Sequence, residues 1–199
     1  MKRTRYLSPL LVAAVLVGCG GTTPPPGSNP APTDPEPPTV PETEACVDLP
    51  ETLPSLEVPT GTTCLLLGTA IEGDVTVAAG AQLTAVSVQI GGGVRGEGAS
   101  DVSLETSGVT GDVRLSGGGS ASLVDSEVGG SVALSGHSSS ASVSGTTVGG
   151  VLEVSRNVGN TFVSGNVVAG DLTCEANDPA PDGSENEVAG DKTGQCADL

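Results

Sequence analysis

The sequence predicts an all-β fold: a single-stranded parallel β-solenoid of about seven rungs with a period of 19 to 20, set behind a disordered Pro-rich linker. Three observations carry this prediction. First, one short phrase returns at a fixed phase: GDVTV at Gly73, GGVRG at Gly92, GDVRL at Gly111, GSVAL at Gly130, GVLEV at Gly150, GDLTC at Gly170 and GDKTG at Gly190, in steps of 19, 19, 19, 20, 20 and 20. That period is too short for a helix-pair repeat and suits one rung of a solenoid, in which each turn closes the face its neighbour leaves open. Second, apolar residues alternate at period two after the glycine, in Val75 and Val77, Val113 and Leu115, Val132 and Leu134, Leu152 and Val154. This is the mark of a short strand with one buried face. Third, the 199-residue chain holds one Phe, one Tyr and no Trp. A globular core without aromatics fills poorly, whereas a narrow coil of stacked Val, Leu and Ala needs none.

Two further apolar columns accompany the alternating one. The residue two before each glycine reads Ile71, Ile90, Val109, Val128, Val148, Val168 and Val188, and the residue seven before reads Leu104, Leu123, Val143 and Val163 in successive rungs. Ser, Thr, Gly and Asn lie between the columns and turn the corners, while β-branched Val supplies strands. Leu56 and Val58 carry the same apolar pair one repeat step before Val75 and Val77, so a partial rung begins there. At about 4.8 Å per strand the stack is on the order of 35 Å tall. Parallel crossovers favour a right-handed β-helix; a left-handed hexapeptide coil, with its strict turn of about 18 residues, fits the steps less well.

The chain opens with a positive stretch, Met1 to Arg5, and an apolar run, Leu7 to Gly18. That run is shorter than the roughly 20 residues a membrane-spanning helix needs. It ends in Leu16-Val17-Gly18-Cys19, which resembles the lipobox of bacterial lipoproteins. The resemblance implies that residues 1–18 are a signal peptide and that Cys19 becomes the new N-terminus, carrying diacylglycerol on its sulfur and an acyl chain on its amine. Two or more buried chains anchor a protein stably at about 0.8 kcal/mol per CH₂. The alternative is an ordinary signal peptide and a soluble secreted product. Gly20 and Gly21 follow Cys19 where an Asp would mark inner-membrane retention in that family, which implies exposure at an outer surface. Residues 19–45 contain Pro24, Pro25, Pro26, Pro30, Pro32, Pro35, Pro37, Pro38 and Pro41 among Thr, Ser and acids. Such a composition builds no core and suits an extended spacer; a PxxP docking segment is the other reading. Residues 46–199 form the predicted β-helix domain.

Setting Cys19 aside leaves Cys46, Cys64, Cys174 and Cys196, with spacings of 18 and 22 that are close to one rung. Each pair is thereby placed side by side on adjacent coils, so disulfides Cys46–Cys64 and Cys174–Cys196 are expected. A loop of that size adds about 3 kcal/mol, and both staples fall at coil ends, where the last rung has only one neighbour. Zinc is the other use for four cysteines, but no CxxC spacing is present.

The closing segment, Asn166 to Cys174 and Asn186 to Cys196, together with the opening Val58-Pro-Thr-Gly-Thr-Thr-Cys64-Leu-Leu-Leu, is similar to secreted bacterial β-helix proteins of uncharacterised function. The coil pattern more loosely resembles bactofilins, polymerising β-helix scaffolds. Bactofilins are cytosolic, lack such disulfides and polymerise through open ends, so the stapled ends here imply a capped monomer. Neither family supplies a catalytic residue.

Charge limits the partners. From Cys19 onward 4 basic residues face 24 acidic ones, 4 − 24 = −20, a surface that repels nucleic acid and anionic lipid headgroups. No cofactor motif is found: Gly91-Gly-Gly93-Val-Arg-Gly96 matches GxGxxG by letter, yet no helical pattern follows it, as a dinucleotide site requires. Asp74, Asp112, Asp171 and Asp191 follow the rung glycine, interrupted by Gly93, Ser131 and Val151. They read as turn residues accepting backbone N–H bonds; the alternative is a low-affinity calcium site around Asp171, Glu175, Asp178 and Asp182. Arg95 and Arg114, one repeat step apart, read as surface ion pairs with Glu97, Asp101 and Glu105. His137 in Ser-Gly-His-Ser-Ser-Ser reads as a solvated corner residue, and Phe162 as packing at a rung edge. No nucleophile, base and orienting group assemble, so no enzyme activity is expected. The expected role is a lipid-anchored, extracytoplasmic structural or interaction protein, whose surface protein or glycan partner is unidentified. A carbohydrate-active or carbohydrate-binding β-helix and a Ser/Thr-ladder binder of ice or mineral, using Ser116, Ser135 and Ser155, are the alternatives.

Overall fold

A computed structural model describes residue 46 and residues 49–199; the expected signal peptide, the expected lipidation site Cys19 and the Pro-rich stretch lie outside the described residues. Within them the chain winds about eight turns of parallel β-structure with no helix, each full turn contributing one strand to each of three sheets. The first sheet stacks eight two-residue strands, from Thr52–Leu53 and Ala70–Ile71 up to Glu187–Val188. The second stacks eight strands, from Leu56–Val58 through Val94–Glu97, Val113–Ser116 and Val132–Ser135 to Lys192–Gly194. The third stacks six five-residue strands, Thr63–Leu67 to Asn160–Ser164.

Register follows the repeat seen in the sequence. Val75 pairs with Val94 and Val113 with Val132 at a step of 19, while Leu152 pairs with Leu172 at a step of 20. The change of step falls in one corner: Ser135 pairs back to Ser116 at a step of 19, but Ser140 pairs back to Ser120 at a step of 20. The three apolar columns predicted from alternation all point inward. Leu123, Leu134, Val143, Val148, Leu152 and Val154 are fully buried, and each such side chain contributes about 1.5–3 kcal/mol relative to exposure.

Two local devices let a chain with so few bulky side chains stack this tightly. At the corner between the third and first sheets, seven successive turns place a residue in the left-handed region: Gly68, Ser87, Thr106, Asp125, Gly145, Gly165 and Glu185, with φ between 48° and 66°. The phase glycines serve otherwise. Each N–H donates to the glycine carbonyl one turn below, as in Gly92 to Gly73, Gly111 to Gly92, Gly130 to Gly111 and Gly170 to Gly150, at 2.9–3.1 Å. A Cβ on Gly111 would lie 2.9 Å from the Gly92 carbonyl oxygen and 3.0 Å from its carbonyl carbon, closer than packing tolerates.

Both expected disulfides are formed. Cys46–Cys64 and Cys174–Cys196 have Cα separations of 5.0 and 5.2 Å. Cys46 and Leu49 pack on the core at one end and Leu199 at the other, with the Lys192 ammonium donating to the Leu199 carbonyl. The third sheet stops early. After Ser164 the next pass touches it through a single bridge, Phe162 to Asp182, because Pro179 and Pro181 in that pass carry no N–H to donate.

Gly111→Ala is therefore expected to lower stability by about 1–3 kcal/mol, read as a shift in the urea midpoint at unchanged slope. An unchanged midpoint would show that the close approach of turns is not limiting.

Candidate functional site

Three kinds of position emerge from the coil: polar corner columns, a basic pair on the second sheet and a hydroxyl array on the third. The corner columns are the backbone's own scaffolding. Asp74 Oδ1 accepts from Gly93 N–H, Asp112 Oδ1 from Ser131 N–H and Asp171 Oδ1 from Asp191 N–H, at 2.7, 2.7 and 2.9 Å. Ser131 Oγ does the same for Val151 N–H. These side chains thus serve as turn residues, with the donor on the turn above. The Asp112 carboxyl lies below the usual carboxylate range, first through the Ser131 amide and then through Arg114, while partial burial pushes Asp101 up.

A second column is buried. Ser107 Oγ accepts from Val88 N–H and Ser126 Oγ from Ser107 N–H; Asn166 Oδ1 accepts from Thr146 N–H and Asn186 Oδ1 from Asn166 N–H. Asn166 Nδ2 donates both to Asn186 Oδ1 and to the Val143 carbonyl, at 2.9 and 2.8 Å. At the widened corner a third column runs from His137 through Asn157 and Asn177 to Gln195: Asn157 Oδ1 accepts from His137 N–H, Asn177 Oδ1 from Asn157 N–H and Gln195 Oε1 from Asn177 N–H. These asparagines satisfy inward-facing amides that an apolar side chain would leave bare, a loss of about 1–3 kcal/mol each. Their recurrence at the repeat step, Asn157 with Asn177 and Asn166 with Asn186, is the signal in the sequence that could have revealed them.

His137 corrects the reading of a solvated corner residue: it is 3% exposed, its ring turned inward, and both ring nitrogens lack a hydrogen-bond partner. It occupies the inward place that Asn157 and Asn177 take one and two turns on. Burial pushes the imidazole pKa down, opposed only partly by the nearby Leu115 carbonyl. Phe162 likewise lies outside the core: it projects from the third sheet at 43% exposure, because Thr161 and Val163 take the inward places.

Arg95 and Arg114 project outward from adjacent strands of the second sheet, paired in register. The expected ion pairs with Asp101 and Glu105 are not made, since those residues stand on the third sheet. Arg114 Nη1 instead contacts Asp112 Oδ2 at 2.7 Å, the one ion pair among the described residues. The GxGxxG letters fall on a turn and on the strand Val94–Glu97.

The outer face of the third sheet carries Thr84, Ser103, Ser122 and Ser142 in continuous register, whereas the expected column of Ser116, Ser135 and Ser155 is cut short, because Ser155 is buried with its hydroxyl donating to Glu153 Oε1. Of the calcium candidates, Asp171 already binds the Asp191 amide and Asp182 Oδ1 accepts from Gly183 N–H. Among the described residues no three His, Cys, Asp or Glu side chains converge to hold a metal ion, so the structure does not bring together Asp171, Glu175, Asp178 and Asp182.

Set against protein-family models, curated proteins and solved structures, the chain matches none of them.

The buried histidine makes a pH prediction. Its pKa is lowered on folding, so the unfolded chain binds the extra proton; stability holds above about 6.5 and falls as pH drops below that value. Chemical denaturation on either side of it, from about pH 7.5 to about pH 5, should show this loss, and His137→Asn should abolish it by extending the amide column one turn. A His137→Asn protein with the same pH slope would place the titration elsewhere.

Proposed function

We propose that this chain is a lipid-anchored, extracytoplasmic β-solenoid that serves at the cell surface as a non-catalytic structural or interaction module. The observation that carries the reading is the pair of disulfides closing the two ends of the coil. Structural disulfides persist in oxidising compartments outside the cytosol. They occur in a chain whose opening has a basic start, a short apolar run and Leu16-Val17-Gly18-Cys19. Lipid on Cys19 supplies the membrane attachment, and the Pro-rich composition of 19–45 suits a spacer between membrane and coil. With Cys46 and Leu49 over one end and Cys196 and Leu199 over the other, the coil offers its lateral faces, rather than open strand edges, to other molecules.

The test is the intact mass of membrane-extracted protein, before and after reduction and alkylation. A mass beginning at Cys19 with acyl chains added, and four thiols labelled only after reduction, is the expected result. A soluble, unlipidated product or thiols free before reduction sinks the reading.

The register of Thr84, Ser103, Ser122 and Ser142 favours a second reading, a regular surface that binds ice or mineral. On such a face outward hydroxyls repeat about 4.8 Å between strands. Thermal hysteresis that disappears in Ser122→Tyr is the result this reading expects; no hysteresis in the parent protein rejects it for ice.

A further inference from the structure

We propose that Arg95 and Arg114, stacked in register beside the Ser116 and Ser135 hydroxyls, form a site for an acidic sugar, with its carboxylate on the two guanidinium groups and its ring hydroxyls on Ser116, Ser135 and Glu97. The inference goes beyond the anchored-module reading and stands or falls separately from it.

The sequence from Cys19 onward has only four basic residues, and two of them face each other directly across adjacent strands. Neighbouring strands lie about 4.8 Å apart, and like charges opposite one another there are destabilising. A bound oxyanion reverses that sign, because guanidinium forks donate to carboxylate oxygens in strong charge-assisted bonds.

The pair is only partly neutralised. Arg114 spends one arm, Nη1, on Asp112 Oδ2, and Arg95 makes no ion pair among the described residues. Asp112 is itself committed through Oδ1 to the Ser131 amide. Glu97, two residues beyond Arg95 on the same strand, is exposed and takes part in no ion pair or side-chain hydrogen bond among the described residues.

The face is also hollowed at this point. Ala133 follows Arg114 in the outward column, and its short side chain leaves a recess beside the two arginines. The resulting cleft of about 380 Å³ is lined by Arg95, Gly96, Glu97, Arg114, Ser116 and Ser135. That size lies at the small end of ligand sites and suits a single sugar ring. None of the hydrogen bonds among the described residues uses the Ser116 or Ser135 hydroxyl, and both point to the same side as the arginines, two residues further along their strands.

The chemistry of the surroundings selects among anions. A formal charge of −17, with Glu97 and Asp112 beside the cleft, repels a bare multivalent anion. A ligand with one carboxylate and several hydroxyl donors satisfies both arginines and donates to Glu97. No aromatic side chain stands in the cleft to stack against the ring, so affinity is modest, with Kd on the order of 1 mM.

The test is an NMR titration of the full chain labelled with ¹⁵N, following the Arg Nε–H signals with D-glucuronate, D-glucose and inorganic phosphate as probes. Glucuronate is expected to give saturable shifts at Arg95 and Arg114, and glucose none. Arg95→Gln and Arg114→Gln should each weaken glucuronate binding by about tenfold or more, while Arg156→Gln should leave it unchanged; an intact amide spectrum for each variant excludes misfolding as the cause. Absence of saturable glucuronate shifts, phosphate binding as tight as glucuronate, or glucuronate binding that survives both arginine substitutions overturns the site. A chain that proves unlipidated but still binds glucuronate retains this inference and loses only the anchor.

Discussion

Each turn of this coil depends on the hydrogen bonds it exchanges with the turns above and below. A five-residue strand cannot satisfy its own amides, and a two-residue strand has hardly any internal structure to lose. Stacked in parallel register, however, strand N–H and C=O groups find partners on neighbouring turns. The glycine line shows how strict this is: Gly73, Gly92, Gly111 and Gly130 pass a hydrogen bond from turn to turn at a separation that leaves no room for a Cβ. What recurs in the sequence as a phase marker is therefore a spacing requirement between backbones.

The corners extend the same logic to side chains. Where strands end, an amide is left facing inward or along the axis, and Asp, Ser or Asn from a neighbouring turn accepts it. The Asn columns go further, since Asn157, Asn166 and Asn177 each accept from below and donate onward, and the column that starts at His137 closes on Gln195 near the Cys174–Cys196 disulfide. His137 is the weak member of its column. It starts the widened corner, fills the space with a ring and leaves both nitrogens without a partner, and its burial disfavours the protonated form.

Function on such a scaffold is confined to the faces. The interior is consumed by Val, Leu and the amide columns, and the ends are covered and stapled. What remains are the outer sheet faces, where small and acidic side chains are joined by exposed Leu65, Leu67, Phe162 and Val167, one basic pair and one long hydroxyl column. A rigid stack presents its outward groups with little conformational cost on binding.

The repeat alone determined the all-β coil, the inward columns at Ile71, Val75, Val77 and Leu104, the start of the stack at Leu56 and both disulfide pairings, because period-two alternation and a step of 19 to 20 leave few ways to bury those side chains. Only the tertiary structure decided which polar residues turn inward. His137 sits among serines and a glycine and reads locally as solvated, yet the corner between Ser135 and Ser140 is one residue longer than the one below it and carries that side chain inside. Arg95 divides the two: the repeat step already set it beside Arg114, while only the change of sheet between Glu97 and Asp101 sends Asp101 to another face and removes that expected ion pair. Such relations are set by register across a whole turn, and no local pattern carries them.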